Sequence, residues 1–293
     1  MNTGCWSFLW IENVYDAHDW WHVRVFSAFS LYFIIISMLF YNEDMAKREL
    51  ETMFTTLNKL ASQLLDDGTF IKSAKTCLES LKYRQFSIPE HENNNLLDIG
   101  VDPDARKILL FCEYKFKNWE PIKIEADGNY LFNVFATFII GKHDAEMSKI
   151  LRVYSTFELI SNIDVYKRDE LCRGYLRHPD GRQADDHEIE KEIVKETKCC
   201  AQLGKRCGYI TLIAISNILR RPIRLVHPIP SNNFNLALDH SVMNQTINPT
   251  VTEPAAETIY MLACGNVDCL ERCEEWCPNH FVLLIDPNSP ANV

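Results

Sequence analysis

A tight turn that leads directly into an apolar helix is the strongest constraint on how this chain folds. Asp127 to Asn129 form the turn, because glycine and asparagine tolerate the left-handed backbone of a sharp reversal. Tyr130 then begins an apolar helix over Leu131 to Ile140, which Gly141 ends. This arrangement places the side chain at position 130 at a helix N-terminus, where backbone amides lower the pKa of a thiol and can hold an oxyanion.

The segments that follow predict a helix-rich domain with a small sheet. They are helices over Asp144 to Ile160 and Cys207 to Leu219, and strands at Ile223 to Val226, Thr258 to Ala263 and Phe281 to Ile285. The mixed-sign charged stretch from Asp164 to Lys198 is predicted to lie in solvent, with His178 and His187 as surface residues. This order of elements indicates the α+β class, with a small β-sheet flanked by helices.

Amphipathic helical patterns precede that domain. Apolar residues recur at helical spacing from Leu50 to Leu65 and again from Phe70 to Leu81, which predicts a helical hairpin, packed either alone or against the later domain. The polar, turn-rich stretch Glu90 to Gly100 is the best boundary. Asp102 followed by Pro103 predicts an N-cap and a helix through Lys115. We therefore predict a helical region over 45–100 and a second domain over 101–293.

The first 44 residues are predicted to be either an apolar leader or a membrane anchor. Val25 to Tyr41 runs without a charge and follows Trp20 and Trp21, so it is near the lower length limit for a membrane-spanning helix. The alternatives are a buried helix or an extraneous leader upstream of Met45. The resulting expectation is an intracellular protein of the nucleus or cytoplasm, with a single-pass membrane anchor as the alternative.

Charge and cysteine content restrict the class of partner. Thirty basic against forty acidic side chains give a formal charge of -10, which does not support a globally electropositive nucleic-acid binder. The eleven cysteines are an odd number with no regular framework spacing, which favours reduced thiols in an intracellular protein over a disulfide scaffold.

The chain from Ile122 to Ile285 resembles the OTU (ovarian tumour) family of cysteine proteases. In that family an Asp-Gly-Asn-Cys loop opens a helix, and an Asn-His-aromatic step into the last strand supplies the catalytic base. The resemblance implies an OTU-like, papain-related fold in which Asp127 is the loop aspartate, Tyr130 holds the nucleophile position and His280 is the base. It also implies an oxyanion-type loop at Gly128 and Asn129.

Within the family, the chain is most similar to vertnin-type OTU domains. The similarity lies in the helix pair that begins at Met45, the segment Ile150 to Ile160 and the ending Cys277 to Ile285. Cys207 and Gly208 match the entrance to the late helix of the family. For this type the resemblance implies a role in transcriptional regulation.

Two departures from the family pattern predict a degenerate site. Tyrosine stands in place of cysteine, and a phenol is both harder to ionise than a thiol and several ångströms longer. The family often orients its histidine with an acid or amide two residues on, where this chain has Val282. We expect Tyr130 to fill the vacated cleft, with its hydroxyl hydrogen-bonded, His280 being one candidate partner.

A cysteine cluster before the last strand suggests a separate metal site. Cys264, Cys269, Cys273 and Cys277 lie close together in sequence, and zinc prefers four sulfur or nitrogen ligands. Their spacing does not match a familiar zinc finger, and disulfides or free thiols in a surface hairpin are the alternative. Zinc is the one cofactor the sequence suggests.

Two functions from different classes follow. The first is a non-catalytic OTU-fold pseudoenzyme that binds a protein, with ubiquitin or a ubiquitin-like protein as a candidate partner. The second is an active cysteine-type deubiquitinase that hydrolyses ubiquitin isopeptide bonds with an unrecognised nucleophile, for which Cys112, Cys199 and Cys200 are candidates. Nucleic-acid binding is a third hypothesis that the net charge does not support.

Overall fold

The computed structural model of the protein describes residues 45–83, 86, 96–125, 127–176, 182–228, 243–252, 256–271, 276 and 278–288. By contact density the chain divides into Met1–Leu50 and Glu51–Val293, and the described part of the first unit belongs to the first helix. The candidate anchor Val25 to Tyr41 lies outside the described residues. Within the described ranges, no helix is both long and apolar enough to cross a membrane.

Helices make up most of the described chain, and aspartates cap several of their N-termini. At one such cap, the Asp144 carboxylate accepts hydrogen bonds from the amides of Glu146 and Met147. In chain order the helices are α1 (45–62), α2 (Asp67–Leu78), α3 (Pro103–Leu109), α4 (Tyr130–Ile140), α5 (Ala145–Ser161), α6 (Ile163–Tyr166), α7 (Glu170–Tyr175), α8 (Asp186–Cys200), α9 (Tyr209–Leu219) and α10 (Val267–Glu271).

The described strands form one five-stranded mixed sheet in the order β1-β5-β4-β2-β3. The strands are β1 (Glu120–Ile122), β2 (Ile223–Val226), β3 (Thr246–Ile247), β4 (Ile259–Cys264) and β5 (His280–Ile285). Strand β2 runs parallel to β4, and the other neighbouring pairs are antiparallel. This sheet and its helices confirm the predicted α+β class, whereas the short strands β1 and β3 were not predicted.

The two faces of the sheet meet different parts of the chain. Successive side chains of a strand point to opposite faces. On one face Phe281 of β5 packs against Tyr130 of α4, with ring centroids 5.7 Å apart. On the other face Tyr260 of β4 packs against Trp119, with centroids 4.6 Å apart. The beginning of β5 therefore separates the turn before α4 from the surroundings of α3.

The N-terminal helix pair packs onto the core rather than standing alone. Helix α2 contacts α5, and its Phe70 side chain is completely buried. The Lys198 ammonium of α8 lies 2.7 Å from the Asp67 carboxylate at the start of α2. The Gln202 side chain donates to the Ala61 carbonyl of α1 at 2.8 Å. These contacts tie the pair to α5, to α8 and to the segment that follows α8.

The charged stretch from Asp164 to Lys198 is not the solvent-exposed segment that its composition suggested. Helix α8 begins there with a capping box, in which Asp185 and Glu188 each accept from the other's backbone amide. Its Ile189 and Ile193 side chains are fully buried. The prediction was wrong because an apolar stripe is hidden among charges on the other faces of the helix. His187 is exposed as expected, and His178 lies outside the described residues.

The helix predicted from Asp102 to Lys115 is shorter than expected. Asp102 caps it by accepting from the amides of Asp104 and Ala105, but α3 ends at Leu109. The backbone of Glu113 is not helical, with φ at -52° and ψ at 138°, so the predicted helix cannot run through to Lys115. A separate short 3₁₀ turn follows at Tyr114–Phe116.

A substitution in α2 tests whether the helix pair is an integral part of the core. We expect Phe70→Ala to lower the free energy of unfolding by about 3–5 kcal/mol, because it removes a fully buried aromatic side chain. The matched control is Leu64→Ala, at a leucine exposed on the surface, for which we expect a change within about 0.5 kcal/mol. Chemical denaturation measures both, and similar small losses would contradict the integral packing of α2.

Candidate functional site

The turn before α4 depends on two glycines that lie against each other. Gly128 has φ at 82° and Gly204 has φ at 71°, both in the left-handed region that favours glycine. A Cβ atom added at Gly128 would lie 2.3 Å from the Gly204 carbonyl oxygen. The turn therefore needs glycine at position 128 both for its backbone conformation and for its close approach to the segment after α8.

The Asp127 carboxylate holds the turn in shape. It accepts from the backbone amide of Asn129 at 2.8 Å and from the Asn129 side-chain amide at 2.9 Å. It also accepts from the Asn133 side chain at 3.0 Å. Partial burial acts to raise the pKa of Asp127, but the hydrogen bonds from Asn129 and Asn133 outweigh it, so the net shift is downward. Asp127 is thus a structural acceptor that closes the turn.

Asn129 connects the turn to a buried arginine. Its side-chain oxygen accepts from Arg152 Nη2 at 2.7 Å and from the Gly204 amide at 2.8 Å. Its backbone N–H donates to the Asp127 carboxylate. This amide of the predicted oxyanion-type loop therefore already has a hydrogen-bond acceptor within the protein. Asn129 itself is buried. The residue that the family comparison assigned to an oxyanion loop therefore makes structural hydrogen bonds here.

Arg152 is the structural residue that sequence reasoning missed. Its side chain is 0% exposed and lies on α5. Besides Asn129, it donates to the carbonyl oxygens of Cys199 at 2.9 Å, Cys200 at 3.2 Å and Lys205 at 3.0 Å. Its spacing of four residues from Ser148 places both on one side of α5, but only the structure shows that this side is buried.

Tyr130 occupies the first position of α4 and is only 7% exposed. Its ring packs against Phe281 at a centroid distance of 5.7 Å. The structure therefore brings Tyr130 together with the turn, as predicted, and buries it against the last strand. A buried aromatic ring at this position occupies the space beside the helix N-terminus.

His280 is the first residue of β5, and its surroundings differ from those of Tyr130. Because Phe281 faces Tyr130, strand alternation directs His280 to the opposite face of the sheet. Its Cα pairs across the ladder with that of Cys264, and its Nδ1 lies 2.6 Å from the Asn279 side-chain oxygen. Burial lowers the pKa of His280, and the negative charge of Asp102 opposes that shift.

The residue two positions after His280 is Val282, which has no polar group to bind the imidazole. Val282 is completely buried and pairs across the ladder with Leu262. Alternation places Val282 on the same face as His280. A neutral apolar side chain there cannot accept a hydrogen bond that would orient the ring.

The candidate replacement nucleophiles are poorly suited to that role. Burial raises the pKa of the Cys112 thiol to about 12 and that of the Cys199 thiol to about 11. A thiol must ionise to attack a carbonyl carbon efficiently, and these shifts suppress the thiolate near neutral pH. Cys200 is completely buried.

The proposed zinc ligands are only partly described. Cys264 is fully buried at the end of β4, and Cys269 is half-buried in α10. Cys273 and Cys277 lie outside the described residues. Among the residues that are described, no three His, Cys, Asp or Glu side chains are grouped closely enough to hold a metal ion. Zinc binding by the four cysteines stays a prediction.

A family model gives this site its context. The model described as the vertnin OTU domain matches residues 121–263, just under half of the chain. That span contains the turn, helix α4, Arg152 and all of strand β4 except Cys264, and it ends before His280. Residues 121–263 are therefore an OTU domain of the vertnin type, and the predicted OTU-like, papain-related fold is confirmed.

One solved structure is similar over a larger part of the chain. The OTU domain of OTUD1 matches with 17% identity over 67% of this chain and 100% of its own, at a TM-score of 0.37. This TM-score is too low to support a fold assignment, so the OTU family is assigned from the family model alone. No curated protein matches the chain significantly.

A pair of glycine substitutions tests the close approach at the turn. We expect Gly128→Ala to lower the free energy of unfolding by about 3 kcal/mol or more, because the new methyl group is strained at positive φ and also clashes with the Gly204 backbone. Gly100→Ala is the matched control, since Gly100 has φ at 99° but nothing within 4 Å of an added Cβ. There we expect a loss of about 1–2 kcal/mol. Equal losses in urea titrations would show that the close approach is unimportant.

Proposed function

We propose that this OTU domain is a non-catalytic module that acts by binding a protein. The observation that carries the proposal is Tyr130, buried at the position of the family's nucleophile and packed against Phe281. A nucleophile has to reach the carbonyl carbon of its substrate, with its oxyanion donors close by. A ring enclosed by the sheet and the turn is placed for packing instead.

Ionisation favours the same proposal. A thiol has a reference pKa of about 8.5 and a phenol one of about 10, so a tyrosine supplies much less of the reactive anion near neutral pH. An adjacent base compensates for this in enzymes that use weak nucleophiles. Here the candidate base is His280, which alternation turns to the other face of the sheet and which has Val282 in place of an orienting polar group.

The alternative function is hydrolysis of ubiquitin isopeptide bonds by another cysteine. It would need a thiol that is accessible, ionised and close to a base. Cys112 is buried in the core cluster, and the pKa of both Cys112 and Cys199 is raised by burial. These properties disfavour the alternative and leave protein binding as the better supported function.

We extend the proposal to a ubiquitin or ubiquitin-like partner. The turn that borders the substrate cleft in the family is held here by hydrogen bonds between Asp127 and Asn129 and by the close approach of Gly128 to Gly204. A cleft whose wall is preserved can hold a peptide without cleaving it. For a vertnin-type domain, such binding would serve a regulatory role, with transcription as the process that the resemblance implies.

An activity-based ubiquitin probe with a C-terminal electrophile tests the absence of catalysis. We expect no covalent adduct on the wild-type chain under conditions in which an active OTU enzyme is fully labelled, because no activated thiol lies at position 130. Gel shift and intact-mass measurements detect the adduct. An adduct mapped to any cysteine of the wild-type chain would refute the non-catalytic proposal.

The variant Tyr130→Cys separates the two departures at the site. With a thiol restored but His280 directed to the other face, we expect labelling at least about 100-fold slower than in the active enzyme, the lower end of what general acid–base catalysis contributes. Tyr130→Cys combined with His280→Ala is the control and should react at a similar rate. Fast labelling that is lost in the double variant would show that His280 is already placed as a base.

Binding is measured separately from catalysis. Titration of isotopically labelled ubiquitin with the wild-type chain should shift a defined set of ubiquitin resonances if the cleft holds it, and Gly128→Ala, which disturbs the turn, should weaken those shifts. Unchanged spectra at high concentration would exclude ubiquitin itself as the partner.

A further inference from the structure

Two buried cysteines face each other across the segment that supports the turn. Cys200 is the last residue of α8 and Cys207 lies just before α9, and their sulfur atoms are 3.8 Å apart. Both side chains are buried in the core. Cys199 precedes the pair in sequence and is half-buried. The residues between the two thiols, 201–206, include Gly204 and Lys205, which bind Asn129 and Arg152.

The thiol pair is the end of a hydrogen-bonded chain that includes a carboxylate. The Thr211 hydroxyl donates to Glu196 Oε2 at 2.6 Å and lies 3.4 Å from the Cys200 sulfur. Because the hydroxyl proton is given to Glu196, the Thr211 oxygen is left to accept from the Cys200 thiol. The Gly208 amide also donates to Glu196 at 2.8 Å, which fixes the carboxylate. The Cys200 proton therefore has a continuous route to a base.

We propose that Cys200 and Cys207 form a redox-active dithiol, which a hydroperoxide converts reversibly to a disulfide, with Thr211 and Glu196 as the route for the Cys200 proton. The sulfur separation is close enough for rotation of the two side chains to bring the atoms to bonding distance. The pair lies on the segment after α8 and not in the turn, so its oxidation does not depend on whether the site at Tyr130 is catalytic.

The chemistry balances with one hydroperoxide. The Cys207 sulfur, the more exposed of the two, attacks a peroxide oxygen, the O–O bond breaks, and a sulfenic acid and one water form when hydrogen peroxide is the oxidant. The Cys200 sulfur then attacks the Cys207 sulfur, its proton passes through Thr211 to Glu196, and the S–O bond breaks. The departing hydroxide takes up that proton as the second water. Two thiols are oxidised and one peroxide is reduced.

The environment makes this oxidation slow and selective. Burial raises the pKa of the Cys207 thiol, and the nearby charge of Arg152 partly opposes the shift. A buried thiol reacts when its surroundings open, so the rate reports on opening of residues 201–206. Once formed, the disulfide closes a ring that contains both Gly204 and Lys205, and so restrains the backbone that holds the turn.

Peptide mapping after treatment with hydrogen peroxide tests the proposal in the full chain. We expect a peptide pair joined through Cys200 and Cys207, lighter by two hydrogen atoms than the reduced peptides and released by dithiothreitol. Cys207→Ser should abolish this species, and Cys199→Ser, a matched change at the adjacent thiol, should leave it intact. Oxidation of other cysteines without this link, or a link that maps to Cys199, would overturn the proposal.

The proton route has its own readout. Thr211→Val keeps the shape of the side chain and removes the hydroxyl that joins Cys200 to Glu196. We expect the wild-type and Thr211→Val chains to reach the same disulfide, with the step from the Cys207 sulfenic acid to the disulfide at least about 100-fold slower in Thr211→Val. Identical rates would remove Thr211 and Glu196 from the mechanism. Circular dichroism of each reduced variant confirms that a rate change does not arise from unfolding.

Discussion

The site depends on the hydrogen bonds of the buried Arg152 guanidinium group. A charge taken out of water is costly unless it is hydrogen-bonded, and here the two terminal nitrogens of Arg152 donate to four oxygen atoms, those of the Asn129 side chain and of the Cys199, Cys200 and Lys205 carbonyls. Its Nε is buried and makes no hydrogen bond within the described residues. Its planar face also lies over the Phe132 ring, 4.3 Å from the centroid. One side chain thus fixes α5, the turn before α4 and the segment after α8 relative to one another.

The Asn129 side chain completes this arrangement because it lies between opposite charges. Its amide nitrogen donates to the Asp127 carboxylate, and its oxygen accepts from the Arg152 guanidinium. An amide dipole placed in this way is polarised from both ends, which strengthens both hydrogen bonds. The Asp-Gly-Asn turn is therefore stabilised by contacts that do not involve the side chain at position 130. A chain can retain this turn for its structure after the nucleophile has been replaced.

Local signals in the sequence were sufficient for much of the fold. The turn, the apolar helix after it and the aspartate cap of α3 depend on residues close together in the chain, and each is present where the pattern predicted it. Helix α8 was missed because its buried stripe lies among charged residues, and only its packing partners reveal the inner face. Strands β1 and β3 are too short to show an alternating pattern in the sequence. They form only because the fold brings their partner strands, which are distant in sequence, beside them.

The candidate site was predictable only as far as local geometry reached. Arg152 could be read as a surface charge until the carbonyls of Cys199 and Lys205, remote in sequence, were brought to it. The surroundings of His280 could not be predicted either, because the spacing of a sequence motif does not tell which face of the sheet each side chain of a strand points to. With Phe281 facing Tyr130, His280 shares its face with Cys264 and Val282.

The alternation of side chains along β5 places Phe281 and His280 on opposite faces of the sheet. The Phe281 ring packs against Tyr130 at a centroid distance of 5.7 Å. The two aromatic residues are mutually supporting, because each covers apolar surface that the other would expose. Replacing Tyr130 by a small side chain would therefore uncover the Phe281 ring and weaken the contact between α4 and β5.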